Sequence, residues 1–128
     1  MSDEASANEP RFDGYDLEER TAAFGEAIVG FAMSVKESAV TRPLISQIVR
    51  SGTSVGANDI EADDAVSQKE FILKVGTCRK EARETKHWLR MIVKAMPDKR
   101  DAAAPLWQEA KELHLIFSKI RRTTIDRS

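Results

Sequence analysis

Between residues 71 and 96 apolar and small side chains recur at alternating steps of four and three: Phe71, Val75, Cys78, Ala82, Thr85, Leu89, Ile92 and Met96. An α-helix turns once every 3.6 residues, so this spacing keeps all of them along one edge, whereas a strand would scatter them over two faces. The helix it predicts is roughly 45 Å long at 1.5 Å per residue. A seam of that length is stable in water only when helices of similar length cover it. Ser67-Gln68-Lys69-Glu70 supplies a capping-box start, and Pro97 supplies the stop.

The rest of the chain offers such partners. Leu17, Phe24, Ala27, Ile28, Phe31 and Val35 predict a first helix from about Leu17 to about Glu37. Thr41 ahead of Arg42-Pro43 reads as the cap of a second helix carrying Leu44, Ile45, Ile48, Val49, Val55 and Ile60. Leu106, Ala110, Leu113, Phe117 and Ile120 mark a fourth, with Pro105 in its first turn. Six glycines and four prolines in 128 residues are too few for a turn-rich β fold. The expectation is an all-α, up-down-up-down antiparallel four-helix bundle. It divides into a flexible segment 1–16, the bundle at 17–122 and a frayed tail at 123–128.

The second helix has an unusual middle, Ser51-Gly52-Thr53-Ser54-Val55-Gly56-Ala57-Asn58, made almost wholly of small residues. A glycine inside a helix costs about 1 kcal/mol relative to alanine. Close approach of another helix is the expected compensation. Small side chains one turn apart serve this purpose in membrane helices, but Arg50, Asn58, Asp59 and Glu61 exclude a membrane span here.

Net charge is −1, but it is unevenly spread: residues 1–66 sum to −8, 69–100 to +6 and 101–128 to +1. Such a chain can pair its halves within one fold or between subunits. The single cysteine, Cys78, rules out an intrachain disulfide and sits on the core seam, where an inert buried thiol is expected. The N-terminus is polar and acidic, without a signal-peptide pattern, and no stretch reaches membrane-spanning length; a cytoplasmic protein follows.

Candidate chemistry is sparse. Glu84-Thr85-Lys86-His87 has the Glu-x-x-His spacing of di-iron bundles, but those sites need a second such pair, and the other histidine, His114, is preceded at that spacing by Lys111. There is no phosphate-binding Gly-rich loop ending in Lys and Ser or Thr. The expectation is no enzyme, no cofactor, no metal and no small-molecule substrate. Lys74, Arg79, Lys80, Arg83, Lys86, Arg90 and Lys94 line the third helix outside its seam. They form either a solvated face or a phosphate-tracking one, which Arg121, Arg122 and Arg127 would extend. Trp88 is the aromatic nearest that run. Ile72, Trp88, Trp107, Leu115 and Ile116 make a second apolar stripe, read as a wide core arc or as a subunit interface.

The run from Gln47 to Asn58, then Glu61-Ala62, Phe71, Lys80-Glu81-Ala82-Arg83-Glu84-Thr85 and Trp88-Leu89 resemble the bacterial four-helix bundle protein family. Its members were first noticed as products of intervening sequences within large-subunit ribosomal RNA genes. The resemblance covers about residues 20 to 120. It implies a bundle that assembles as a homopentameric ring, and kinship with the accessory proteins of diversity-generating retroelements, barrels that bind a reverse transcriptase and nucleic acid. The motif positions carried here are Arg50, Ser51, Gly52, Ser54, Gly56, Asn58, Glu61, Glu81 and Glu84. Arg50 and the two glutamates are expected to bridge helices two and three and set their register. Two departures stand out: the slight net acidity, and the acidic run Asp59-Ile60-Glu61-Ala62-Asp63-Asp64.

Together these features predict a non-enzymatic homo-oligomeric scaffold that binds a protein or nucleic-acid partner. The alternative is a nucleic-acid-binding accessory protein that uses the basic face of helix three.

Overall fold

The computed structural model describes residues 14–127, and among these it contains four long helices and no strand. α1 spans Gly14–Met33, α2 Thr41–Asp63, α3 Gln68–Ala95 and α4 Arg100–Asp126, with a 3-10 turn at Pro97–Lys99. Most of the segment 1–16 lies outside the described residues; its last three residues open α1.

Several boundaries differ from expectation for local reasons. α1 stops at Met33, before Glu37, because the Ser34 amide and hydroxyl both turn back to the Phe31 carbonyl. Thr41 does not cap α2. Ser38 does, its Oγ accepting from the amides of Val40 and Thr41, while the Thr41 hydroxyl donates to the Lys36 carbonyl. Ser67 caps α3 through the Glu70 amide, and the Glu70 carboxylate reaches past Ser67 to the Val66 amide. α4 begins at Arg100, so Pro105 falls in its second turn rather than its first. It also runs past 122 to Asp126, where the Gln68 side chain donates to the Thr124 carbonyl and ties α4 to the start of α3.

Consecutive helices run antiparallel. Ile28 meets Gly52 while Thr21 meets Gly56; Ser51 meets Thr85 while Val55 meets Cys78; Lys86 meets Trp107 while Arg79 meets Ser118. Each pair of contacts advances along one helix and retreats along the next. α1 and α4 close the bundle more loosely, bridged by Arg20, whose guanidinium forks onto Glu109 at 2.8 Å twice and reaches Glu112 at 3.0 Å.

The core follows the α3 seam. Val75, Cys78, Ala82, Thr85, Leu89 and Ile92 are buried, with Phe71 and Met96 half-buried at its ends. Facing them are Phe24, Ile28 and Phe31 of α1, Ile48 and Val55 of α2, and Ala110, Leu113 and Phe117 of α4. Ala27, expected on the inner face of α1, is exposed.

The end of α2 holds a sharper correction. Ile60, expected in the core, is 47% exposed, and Asp59 is 3% exposed. Ile48, Val55 and Ala62 define the buried edge at seven-residue intervals, and on that phase position 59 points inward.

The small-residue segment of α2 does pack against a neighbour. A Cβ built on Gly56 would lie 3.4 Å from the carbonyl carbon of Thr21, and one on Gly25 would lie 3.5 Å from Cα of Thr53. The two helices thus approach with backbone near backbone, and the tightest point is Gly52 against the Ile28 side chain.

Candidate functional site

Of the family-motif residues, Gly52 and Gly56 face α1, while the polar ones at the α2–α3 interface divide into a buried part and a solvent edge. Inside, the Ser51 and Thr85 hydroxyls, each fully buried, hydrogen-bond to each other at 2.9 Å, and Thr85 also lies 2.8 Å from the Glu81 carbonyl. Outside, the Arg50 guanidinium sits 3.2 Å from both Glu81 carboxylate oxygens and bonds to Glu84, while its Nε donates to Gln47. The Glu84 oxygen that takes Arg50 also accepts from the Trp88 indole at 3.1 Å. Asn58 donates to the Ser54 carbonyl and hydroxyl within α2. Glu61 pairs with Lys74 across to α3. Every one of these polar groups bridges or stiffens helices, and their arrangement fixes the register of α2 on α3.

The seven basic residues of α3 do not share one face. Lys74 turns to α2 and its glutamate. Arg79 donates to Ser118 on α4, and Lys86 lies over the Trp107 ring of α4 at 4.8 Å. Lys80 and Arg79 line a shallow groove of about 420 Å³ with Lys69 and with Arg121 of α4, whose side chain packs over Gly76. Arg90 and Lys94 line a larger groove of about 630 Å³ near the α3–α4 turn, together with Arg100. Exposed Arg83 falls between the two grooves, one turn from Arg79 and from Lys86. Six of the seven therefore belong to a strip between α3 and α4.

No Asp or Glu lines either groove. Four carboxylates of these helices are turned away: Glu81 and Glu84 toward Arg50 on α2, Glu109 and Glu112 toward Arg20 on α1. Hydrogen bonds from Gln108 and then Arg20 hold the Glu112 carboxyl below its usual range. Sequence reading extended this face to Arg121 but did not join Arg100, Trp107 and Lys111 of α4 to it, because antiparallel packing brings together residues far apart in the chain. It also favoured Trp88, which sits on the α2 side with Glu84; Trp107 is the aromatic residue of the basic strip, with Lys111 a further 5.7 Å from its ring centre. Of the second apolar stripe, Trp88 and Ile116 pack on the core, whereas Trp107 and Leu115 stay 38% and 55% exposed.

The remaining candidates form no reactive group. Cys78 is buried with its thiol toward the Val55 carbonyl, and burial pushes that thiol well above its usual range. His87 is exposed beside Trp88, ring centres 4.9 Å apart, and His114 contacts the Arg79 carbonyl. Among the described residues no three His, Cys, Asp or Glu converge as metal ligands, and no helix is long and apolar enough to cross a membrane. Asp59, read from the sequence only as part of an acidic run, is buried: among the described residues its Oδ2 has no hydrogen-bond partner, and desolvation, with Asp63 and Glu18 nearby, pushes its carboxyl up to about 7.

Residues 16–119, which contain every motif position named above, match the family described as 23S rRNA-intervening sequence protein. The chain belongs to that family. A crystal structure at 1.70 Å resolution, of a protein of unknown function from the S23 ribosomal protein family of Bacteroides thetaiotaomicron VPI-5482, is similar, with a TM-score of 0.76 and 28% identity. The similarity covers 85% of this chain and 97% of that one. No curated protein matches. Within the intervening-sequence family, then, this chain has an all-helical architecture shared with a solved relative.

Proposed function

We propose that this chain is a non-enzymatic binding protein of the cytoplasm that takes nucleic acid along its α3–α4 face. The carrying observation is charge segregation: the strip between these helices gathers Lys69, Arg79, Lys80, Arg90, Lys94 and Arg121 around two grooves with no carboxylate in either lining. A polyanion laid there would release counterions at each phosphate contact, and that release drives non-specific nucleic-acid binding. The overall charge of −1 does not oppose this reading, since carboxylates of α3 and α4 are occupied by arginines of α1 and α2. Filter binding of an RNA and a DNA fragment across a salt series tests it. A steep fall in log affinity with log salt is expected; no retention at low salt would end the proposal.

A second property, self-assembly, is favoured by large apolar side chains left in water: Val66 at 92%, Leu73 at 65%, Leu115 at 55% and Ile60 at 47% exposure. With an acidic first half and a basic α3, one copy can present charge complementary to the next in a head-to-tail contact, and where the rotation closes such contacts make a ring, the pentamer that the family resemblance implies. Such a ring would repeat the basic strip in every subunit and multiply its hold on one strand or on a protein partner. Light scattering at micromolar concentration distinguishes a ring from a monomer.

A further inference from the structure

The larger α3–α4 groove differs from the rest of the basic strip. Leu89 and Val93 of α3 contribute an apolar floor, Trp107 of α4 forms a wall, and Arg90, Lys94 and Arg100 supply the charge. None of those three cations forms an ion pair with a described residue. The volume, about 630 Å³, falls in the range of pockets that hold small organic ligands, roughly 300–1,000 Å³. Lys86 and Lys111 approach the Trp107 ring, yet neither lines the groove, whereas Trp107 does and is 38% exposed.

Uniform phosphate tracking needs neither a floor nor an aromatic wall. A duplex would rest on the cations and leave this hollow unfilled, because its bases are stacked inside. An unpaired nucleotide supplies both chemistries at once: a phosphate for the guanidinium and ammonium groups, and a flat heterocycle for an apolar slot beside an indole. We infer that the groove bounded by Leu89, Val93, Arg90, Lys94, Arg100 and Trp107 receives one unpaired nucleotide of a single-stranded nucleic acid, its base against Trp107 and its phosphate on the three cations. The inference rests on the proposed nucleic-acid reading and narrows it to single strands with a defined base slot.

The experiment uses the full chain, a fluorescently labelled 12-nucleotide single strand, and the duplex of the same sequence. In Trp88→Phe the remaining indole is Trp107, and its emission reports directly on the slot. Single-strand binding is expected to quench that emission, while the duplex binds more weakly and leaves it unchanged. Trp107→Leu should weaken single-strand binding roughly tenfold, in line with the loss of one base-stacking contact, without changing the salt slope. Arg90→Gln with Lys94→Gln should flatten the slope by about 0.7 per lost phosphate contact. Lys80→Gln with Arg83→Gln should flatten it too but leave the quench intact. An unquenched indole with bound strand, or equal affinity for duplex, overturns the slot while the proposed function survives. Failure of every oligonucleotide to bind sinks both. Adenosine monophosphate quenching Trp107 as effectively as the strand would make this a free-nucleotide site and overturn the single-strand reading.

Discussion

Gly52 of α2 lies against Ile28 of α1 so closely that a Cβ on the glycine would sit 2.7 Å from Cγ2 and 3.0 Å from Cβ of the isoleucine. Ile28 is fully buried and β-branched, so it cannot swing aside. Replacing Gly52 by Ala therefore forces the helices apart, and overpacking of this kind costs about 1–3 kcal/mol. Gly30, two residues further along α1, has nothing within 4 Å of its missing Cβ. Gly30→Ala should stabilise by about 0.5–1 kcal/mol through helix propensity alone. Urea denaturation of the two variants checks the pair; a stabilising Gly52→Ala would show that the crossing is not tight.

The two polar layers of the α2–α3 interface should differ in weight. Arg50 is 47% exposed on its side chain, and exposed ion pairs contribute about 0–1 kcal/mol. The Ser51–Thr85 pair is fully buried, and stranding one buried hydroxyl costs about 1–3 kcal/mol. Arg50→Ala is expected to cost less than Thr85→Val. The double variant Ser51→Ala with Thr85→Val should cost less than the sum of the singles, because the hydroxyl–hydroxyl bond that each single variant breaks is lost only once. A double-mutant cycle measured by chemical denaturation provides the comparison.

Pro105 stands in the second turn of α4, where its ring displaces the amide that would bond back toward Asp101. It is exposed, so its replacement disturbs no packing. Pro105→Ala should raise the thermal midpoint, with a gain of about 1–2 kcal/mol once the freer unfolded chain is set against the restored helix bond.

The parts of the fold legible in sequence were those governed by one helix at a time. The α3 seam is unbroken from Phe71 to Met96, and its position alone placed six fully buried residues. Glycines at 52 and 56 announced a close crossing because nothing else offsets their cost in a helix. What escaped depended on pairs of helices. Lys74 and Lys86 look equivalent along the chain, yet one meets Glu61 on α2 and the other Trp107 on α4. Asp59 escaped for a different reason: hydropathy drew the eye to Ile60, although the seven-residue phase of Ile48, Val55 and Ala62 selects its neighbour.

That buried aspartate makes the bundle sensitive to pH. Asp59 lies near the carboxylates of Glu18 and Asp63 and the Cys78 thiol, and among the described residues no cation pairs with it. Its carboxyl is pushed from 3.8 to about 7, first by desolvation and then by its acidic neighbours. Below the lower value both folded and unfolded chains hold the proton, and Asp59 contributes no pH dependence. Between the two values the unfolded chain has lost the proton and the native one keeps it, so stability falls as pH rises, by up to about 1.4 kcal/mol per unit. Above the higher value the loss levels off. Asp59→Asn keeps the shape and cannot ionise, so its advantage over the parent should be smallest near pH 4, grow toward pH 7 and then stay constant. Denaturation of both proteins at several pH values measures that difference directly. A gap that does not change with pH would mean that the native carboxylate reaches water or a partner group, contrary to its burial here.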